Sequence, residues 1–127
     1  MEPRTSEAKE WGRFAENMAM EYLLSKGYVI RETNWRPKNS HLEVDIICQD
    51  GDKIVFAEVK ARQGYDHDPA DAVDDKKIRR LVRAADMYLS AQPYDFSYRF
   101  DIVTVSGSYD NPQLDHLPDA FLPPVNC

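Results

Sequence analysis

Two short stretches of this sequence set acids and a lysine at strand spacing: Glu43-Val44-Asp45 and Glu58-Val59-Lys60. Each lies in an apolar run, residues 42–48 and 53–60, and the intervening Gln49-Asp50-Gly51-Asp52 carries the Asp-Gly signature of a hairpin. With Asp50-Gly51 as the central turn residues, Glu43 faces Glu58 and Asp45 faces Phe56. Opposed and alternate residues of a hairpin share a face. Glu43, Asp45, Glu58 and Lys60 therefore emerge together, with Asp45 a diagonal neighbour of Glu58. Clustered carboxylates repel one another and are costly to desolvate. A divalent cation relieves that cost, and Mg²⁺ characteristically takes one or two carboxylates while keeping waters and phosphate oxygens. The chemistry such a group supports is metal-assisted hydrolysis at phosphorus. Lys60 would then stabilise the pentavalent charge or position the attacking water. A solvated strand face with a Glu58–Lys60 surface ion pair has the same local pattern.

The elements that must hold these residues follow from periodicity. Trp11, Phe14, Ala15, Met18, Ala19, Tyr22 and Leu23 recur at three- and four-residue steps, predicting a helix over residues 6–26, with Thr5 or Ser6 at its start and Gly27 at its end. Glu16 falls at the edge of that apolar stripe. Residues 28–33 read as a strand, followed by a polar loop with Asn34, Pro37, Asn39 and Ser40. After a loop over residues 63–69, a second helix is predicted over residues 70–91, its stripe formed by Ile78, Leu81, Val82, Ala85, Tyr88 and Leu89. Residues 100–106 form a last strand, and the segment after Gly107, with no Lys or Arg, reads as an irregular packed tail. The order α-β-β-β-α-β predicts an α/β (α+β) fold in which helices flank a mixed central sheet. The whole chain, residues 1–127, is expected as one domain with its core over about 6–106 and the tail over 107–127.

Asp45, a hairpin turn, then Glu58-Val59-Lys60 resembles the Asp…(Asp/Glu)-x-Lys signature of the restriction-endonuclease-like nucleases, and the element order resembles their core. The chain further resembles the YraN-like family of small bacterial predicted endonucleases. That likeness runs through Gly12-x-x-x-Glu16, Asn34-x-Arg36, Glu43-Val44-Asp45-Ile46-Ile47, Phe56-Ala57-Glu58-Val59-Lys60-Ala61-Arg62, Ala72-Val73 with Lys77, and Arg99-Phe100-Asp101-Ile102-Val103, over roughly residues 10–105. The resemblance implies that Asp45 and Glu58 bind Mg²⁺ or Mn²⁺, that the Val59 backbone carbonyl completes the site, and that Lys60 is the catalytic lysine. Glu16 is similar to the first-helix acid that many archaeal Holliday-junction resolvases place beside the metal, and Glu43 is a further candidate ligand. Val44 stands where the motif often has proline.

Lys76, Lys77, Arg79, Arg80 and Arg83 crowd the second helix. Lys77 lies nearest the apolar stripe and so reaches inward, while Lys76, Arg80 and Arg83 share a solvent face. Together with Arg62, just past Lys60, Lys76, Lys77 and Arg80 are candidate phosphate contacts. The expected activity is endonucleolytic hydrolysis of DNA, including structured, branched or single-stranded DNA. The alternative is a catalytically silent nucleic-acid-binding or adaptor module on the same fold. A nuclease of this size often works as a homodimer on two-fold substrates, although no stretch marks an interface.

Composition bounds the rest. The chain has 127 residues, 43% hydrophobic and 30% charged, a globular mixture long enough to bury a core. No apolar run approaches a membrane span, and the N-terminal residues carry no apolar stretch of a secretory signal, so a cytoplasmic location without membrane partners is expected. Cys48 and Cys127 show no metal-ligand spacing. Sixteen basic against twenty-two acidic residues give a net charge of −6, which in total argues against a nucleic-acid partner. The basic second helix argues the other way.

Overall fold

Trp11, Ala15, Ala19 and Leu23, one residue in four, are all buried and make the inner face of helix α1 (Pro3–Ser25). The helix ends where its sequence says it must. Gly27, at φ +90, allows Gly27 N–H to donate to the Leu24 carbonyl at 2.9 Å and Tyr28 N–H to the Leu23 carbonyl at 3.2 Å, the paired bonds of a Schellman cap. The computed structural model describes residues 3–64 and 74–121. Most of the expected loop over residues 63–69 and the first turn of the expected second helix, residues 70–73, lie outside the described residues.

Chain reversal at the cap feeds β1 (Val29–Trp35), then β2 (Val44–Asp50) and β3 (Lys53–Ala61), an antiparallel meander. The β2–β3 hairpin pairs Asp50 with Lys53, so Gly51-Asp52 form the two-residue loop, rather than Asp50-Gly51 as expected. Gly51 takes φ +63 at the first loop position, the place where hairpin loops that match the strand twist demand glycine. The resulting slip is two residues. Because side chains alternate with period two, Ile46, Val55 and Ala57 stay on one face and Ile47, Ile54 and Phe56 on the other, as expected.

Helix α2 (Asp75–Ser90) follows, starting later than the expected 70–91. Asp74, at φ −100 and ψ 174, is extended, and its carboxylate accepts the Lys77 amide at 2.9 Å, so the helix is capped there. The crossover through α2 lays β4 (Ser97–Gly107) parallel to β3. Where an irregular tail was expected, the chain instead adds β5 (Pro112–Leu117), antiparallel to β4, and closes the sheet as β1-β2-β3-β4-β5. Its alternating exposure, with Leu114 packed inward and Gln113 and Asp115 outward, is a pattern too short to stand out as a strand without the β4 edge to pair with.

The sheet is covered on both sides. Ala19 and Leu23 of α1 pack on Ile46, Cys48, Val55, Ala57 and Val103, while Leu81, Ala84, Ala85 and Tyr88 of α2 pack on Ile47, Ile54, Phe56 and Phe100. A bulge at Arg31 in β1 fastens the second layer: Arg31 donates to the Tyr88 hydroxyl at 2.7 Å and to the Gln49 and Gln92 side chains at 2.8 and 3.0 Å.

Candidate functional site

The β2–β3 ladder is paired from the turn up to Ile46 opposite Ala57. Continued one pair further, that register sets Asp45 directly opposite Glu58, a closer juxtaposition than the expected diagonal. Beyond the last pair the Val59 amide donates to Asp45 Oδ2 at 2.8 Å. In an antiparallel strand a residue's N–H and C=O face the same neighbour, so the Val59 carbonyl is turned to the same opened end. The aspartate thus takes the place a cross-strand carbonyl would fill.

Asp45 borders two depressions. The larger, a cavity of about 240 Å³, is walled by β2 and β3 through Glu43, Asp45 and Glu58, by α2 through Lys77, Arg80 and Leu81, and by His41 and Leu42. The smaller, about 90 Å³, lies toward α1 and brings Glu16, Asn17 and Met20 against Thr33, Asn34, Asp45 and Ile46. Glu16, read from sequence as the edge of the buried stripe, therefore does reach the hairpin acids. Its carboxylate is hydrogen-bonded by Asn34, whose unusual φ of +50 is a conformation asparagine tolerates better than most residues.

The charges at this end of the sheet are strained against one another. Burial and the Glu58 charge push the Asp45 carboxyl up to about 7, against the pull of the Val59 amide, with Glu16 and Glu43 adding to the rise. Burial, then Glu43 and Glu58, also raise Glu16 despite its bond to Asn34. Two bases answer the acids. Lys77 Nζ lies 2.7 Å from Glu58 Oε2, and Arg36 lies 2.9 Å from Glu43 Oε1 in a more exposed pair. Burial works against the Lys77 charge, but the bond to Glu58 and the Glu58 and Asp45 charges more than offset it and raise its pKa. Burial, with Lys77 and Arg62 close by, lowers the pKa of Lys60.

Asp45, Glu58, Lys60 and Glu16 are thus brought to one end of the sheet, with Glu43 held by Arg36. Of the expected phosphate contacts, Lys77 and Arg80 line the cavity, Lys76 is exposed on α2 one residue before Lys77, and Arg62 follows β3 with its amide bonded to the Val105 carbonyl. The Arg62 Nε is buried without a hydrogen-bond partner among the described residues. Sequence reading missed the Asn34–Glu16 and Arg36–Glu43 contacts. Only the Asn34-x-Arg36 spacing at the end of β1 pointed at them.

Among the described residues no three His, Cys, Asp or Glu side chains converge tightly enough to cage an ion. Two neighbouring carboxylates with a backbone carbonyl turned to the same end are the donor set that suits Mg²⁺, which holds most of its waters. The residues present therefore fit such an ion, and the elevation of Asp45 by burial and by the Glu58 charge is the electrostatic stress it would relieve.

Arg99 and Asp101 sit elsewhere, on the α1 face of β4. Asp101, fully buried, takes Arg99 Nε at 3.0 Å, the His116 ring at 2.7 Å and the Asp119 amide at 2.9 Å. Arg99 reaches on to Asp50 and the Tyr28 hydroxyl, each at 2.9 Å. This network ties strands and α1 together away from the cavity.

An α+β domain with a five-stranded mixed sheet, two covering helices and acids gathered at the open end of a hairpin matches the restriction-endonuclease-like core. The chain belongs to UPF0102, an uncharacterised protein family, whose model matches residues 15–105. A UPF0102 protein of Bacteroides thetaiotaomicron is 43% identical over 121 residues, covering 94% of this chain and 98% of the relative. One from Bacteroides fragilis is 42% identical over 115 residues (90% and 93%), and one from Flavobacterium psychrophilum 38% over 117 residues (91% and 97%). The family resemblance carried by the motif residues is borne out. Among the described residues no helix is long and apolar enough to cross a membrane.

Proposed function

We propose that this protein is a Mg²⁺- or Mn²⁺-dependent endonuclease that hydrolyses phosphodiester bonds in DNA, structured or branched DNA included. The observation that carries this reading is the buried Asp45 beside Glu58, a pair of mutually repelling carboxylates facing a cavity rimmed by Lys77 and Arg80. Asp45, Glu58 and the Val59 carbonyl would hold the ion, with Glu43 near enough to assist. When bound, the cation supplies Lewis-acid polarisation of a phosphoryl oxygen and acidifies water.

The chain's own residues supply the rest. Lys60, on the same face of β3 as Glu58 and close to Lys77, is suited to stabilise the charge that builds at phosphorus or to position the attacking water. As the new phosphorus–oxygen bond forms, the ester bond to the leaving strand breaks, and the proton lost by the attacking water passes through solvent to the departing oxygen. Glu16, kept beside Asp45 through Asn34, adds an acceptor that orients the same water. Lys76, Arg80 and Arg62 track the phosphates and contribute affinity without sequence information.

The test is cleavage of linear, single-stranded and branched DNAs with Mg²⁺ or Mn²⁺. Asp45→Ala and Lys60→Ala are expected to lose at least about a hundredfold in rate while keeping the wild-type fold by circular dichroism. Both variants cutting as well as wild type sinks the assignment. Salt-sensitive DNA binding that persists in chelator, with no cleavage of any substrate, points to the silent binding module instead.

A further inference from the structure

Glu58 is nearly buried, its side chain 8% exposed, and its partner comes from a different element. Lys77 stands in the first turn of α2, where its own amide is held by Asp74, and its side chain crosses the cavity to put Nζ 2.7 Å from Glu58 Oε2. A carboxylate in that position without a counter-ion would be strongly destabilising. The lysine is therefore the cation that satisfies Glu58 in the protein as it stands. The Lys77 side chain is 37% exposed, so it can swing toward solvent without dragging the helix with it. The oxygen it occupies belongs to the same carboxylate that the metal reading assigns to the ion.

An ammonium in contact with Glu58 and a dication on the same group repel each other at a few ångströms in a half-dry cavity. Only one can be the principal partner. We propose that Lys77 is a resident counter-cation, which holds Glu58 until a divalent ion replaces it and then moves to the phosphate of the nucleic acid at the cavity mouth. This inference rests on the nuclease reading of the site. Lys77 is a positioning residue in this scheme, and it couples two events. Metal entry releases a cation that phosphate can use, so metal and nucleic acid each favour the other's binding. Arg80 offers the contrast, since it lines the same cavity from the exposed side of α2 and forms no ion pair with Glu58 among the described residues.

The experiment is a Mn²⁺ titration without nucleic acid, reading the free ion by electron paramagnetic resonance, on wild type, Lys77→Met, Lys77→Arg and Arg80→Met. Lys77→Met should bind Mn²⁺ roughly three- to tenfold more tightly than wild type, because no ion pair has to be broken first. Arg80→Met, which removes the same charge from the same cavity, should gain clearly less, and Lys77→Arg should stay near wild type. A second measurement uses a short duplex with Ca²⁺, with Mn²⁺ replaced to avoid cleavage. The metal should tighten duplex binding by wild type more than by Lys77→Met. Equal Mn²⁺ affinity in wild type and folded Lys77→Met, or equal gains in Lys77→Met and Arg80→Met, overturns the exchange while leaving the metal site standing. No Mn²⁺ binding by any of the four proteins overturns both.

Discussion

The surroundings of Asp45 change the chemistry of its carboxyl strongly. Its carboxyl is raised from the usual 3.8 to about 7, first by burial and then by the charge of Glu58. In the metal-free protein the folded state therefore keeps a proton that the unfolded chain has already released. Stability contributed by this group is complete below about pH 4, falls as pH climbs toward 7, and levels off above it. Asp45→Asn removes the charge while keeping an acceptor for the Val59 amide. In the presence of chelator it should stabilise the protein at pH 8 by on the order of 2 kcal/mol, and by progressively less as pH falls toward 4, measured by urea unfolding. Added Mg²⁺ should reverse the order, since only the aspartate is a ligand. A gain as large at pH 5 as at pH 8 would mean that Asp45 is not the group holding the proton.

At the scale of elements, both edges of the site depend on parts that never touch it. Among the described residues β5 pairs with β4 alone, yet through His116 it reaches Asp101, and His116 also meets the Tyr22 hydroxyl of α1 at 3.2 Å. Arg99 carries the connection to Asp50 at the hairpin and to Tyr28 after the first helix. One fully buried carboxylate thus joins α1, the β2–β3 hairpin, β4 and β5. Asp101→Ala leaves Arg99 with half of its anionic partners and the Asp119 amide with none, and should cost about 3–5 kcal/mol in urea unfolding. Asp101→Asn, which keeps the acceptor, should cost less. A loss below about 1 kcal/mol for the alanine variant would show that packing alone holds β5 to the sheet.

For the molecule as a whole, a net charge of −6 conceals a division of sign. Asp110, Asp115 and Asp119 are exposed around β5, whereas Lys76, Arg79, Arg80 and Arg83 are exposed on α2. The acids Glu16, Glu43, Asp45 and Glu58 lie between, at the end of the sheet. A nucleic acid approaching along α2 meets few cations, and the far side repels it. Binding should therefore be weak and involve about three to four phosphates, so a fourfold rise in salt should lower affinity about 40- to 150-fold. Fluorescence anisotropy of a labelled duplex in chelator measures that slope. A salt-independent affinity would rule out α2 as the phosphate-tracking surface.

Local rules determined much of this protein. The one-in-four burial of α1, its glycine cap and the alternation of β2 and β3 are written in residue type and spacing, and alternation kept Asp45, Glu58 and Lys60 on a common face even though the hairpin turned one residue later than Asp50-Gly51 implied. Glu16 and Lys77 were also legible, because a helical wheel places each at the rim of its apolar stripe. Tertiary structure alone decided three things. It made a strand of residues 112–117, whose short alternation gains its hydrogen bonds only from the β4 edge. It turned Arg99 and Asp101 into a buried network, since their partners Tyr28, Asp50 and His116 are distant in sequence. It also selected Lys77 among five basic residues of α2 as the counter-ion of Glu58. Charge partners are chosen by distances across the fold and by the cost of leaving a buried carboxylate unpaired, and neither quantity exists until the sheet and its two helices have closed around the site.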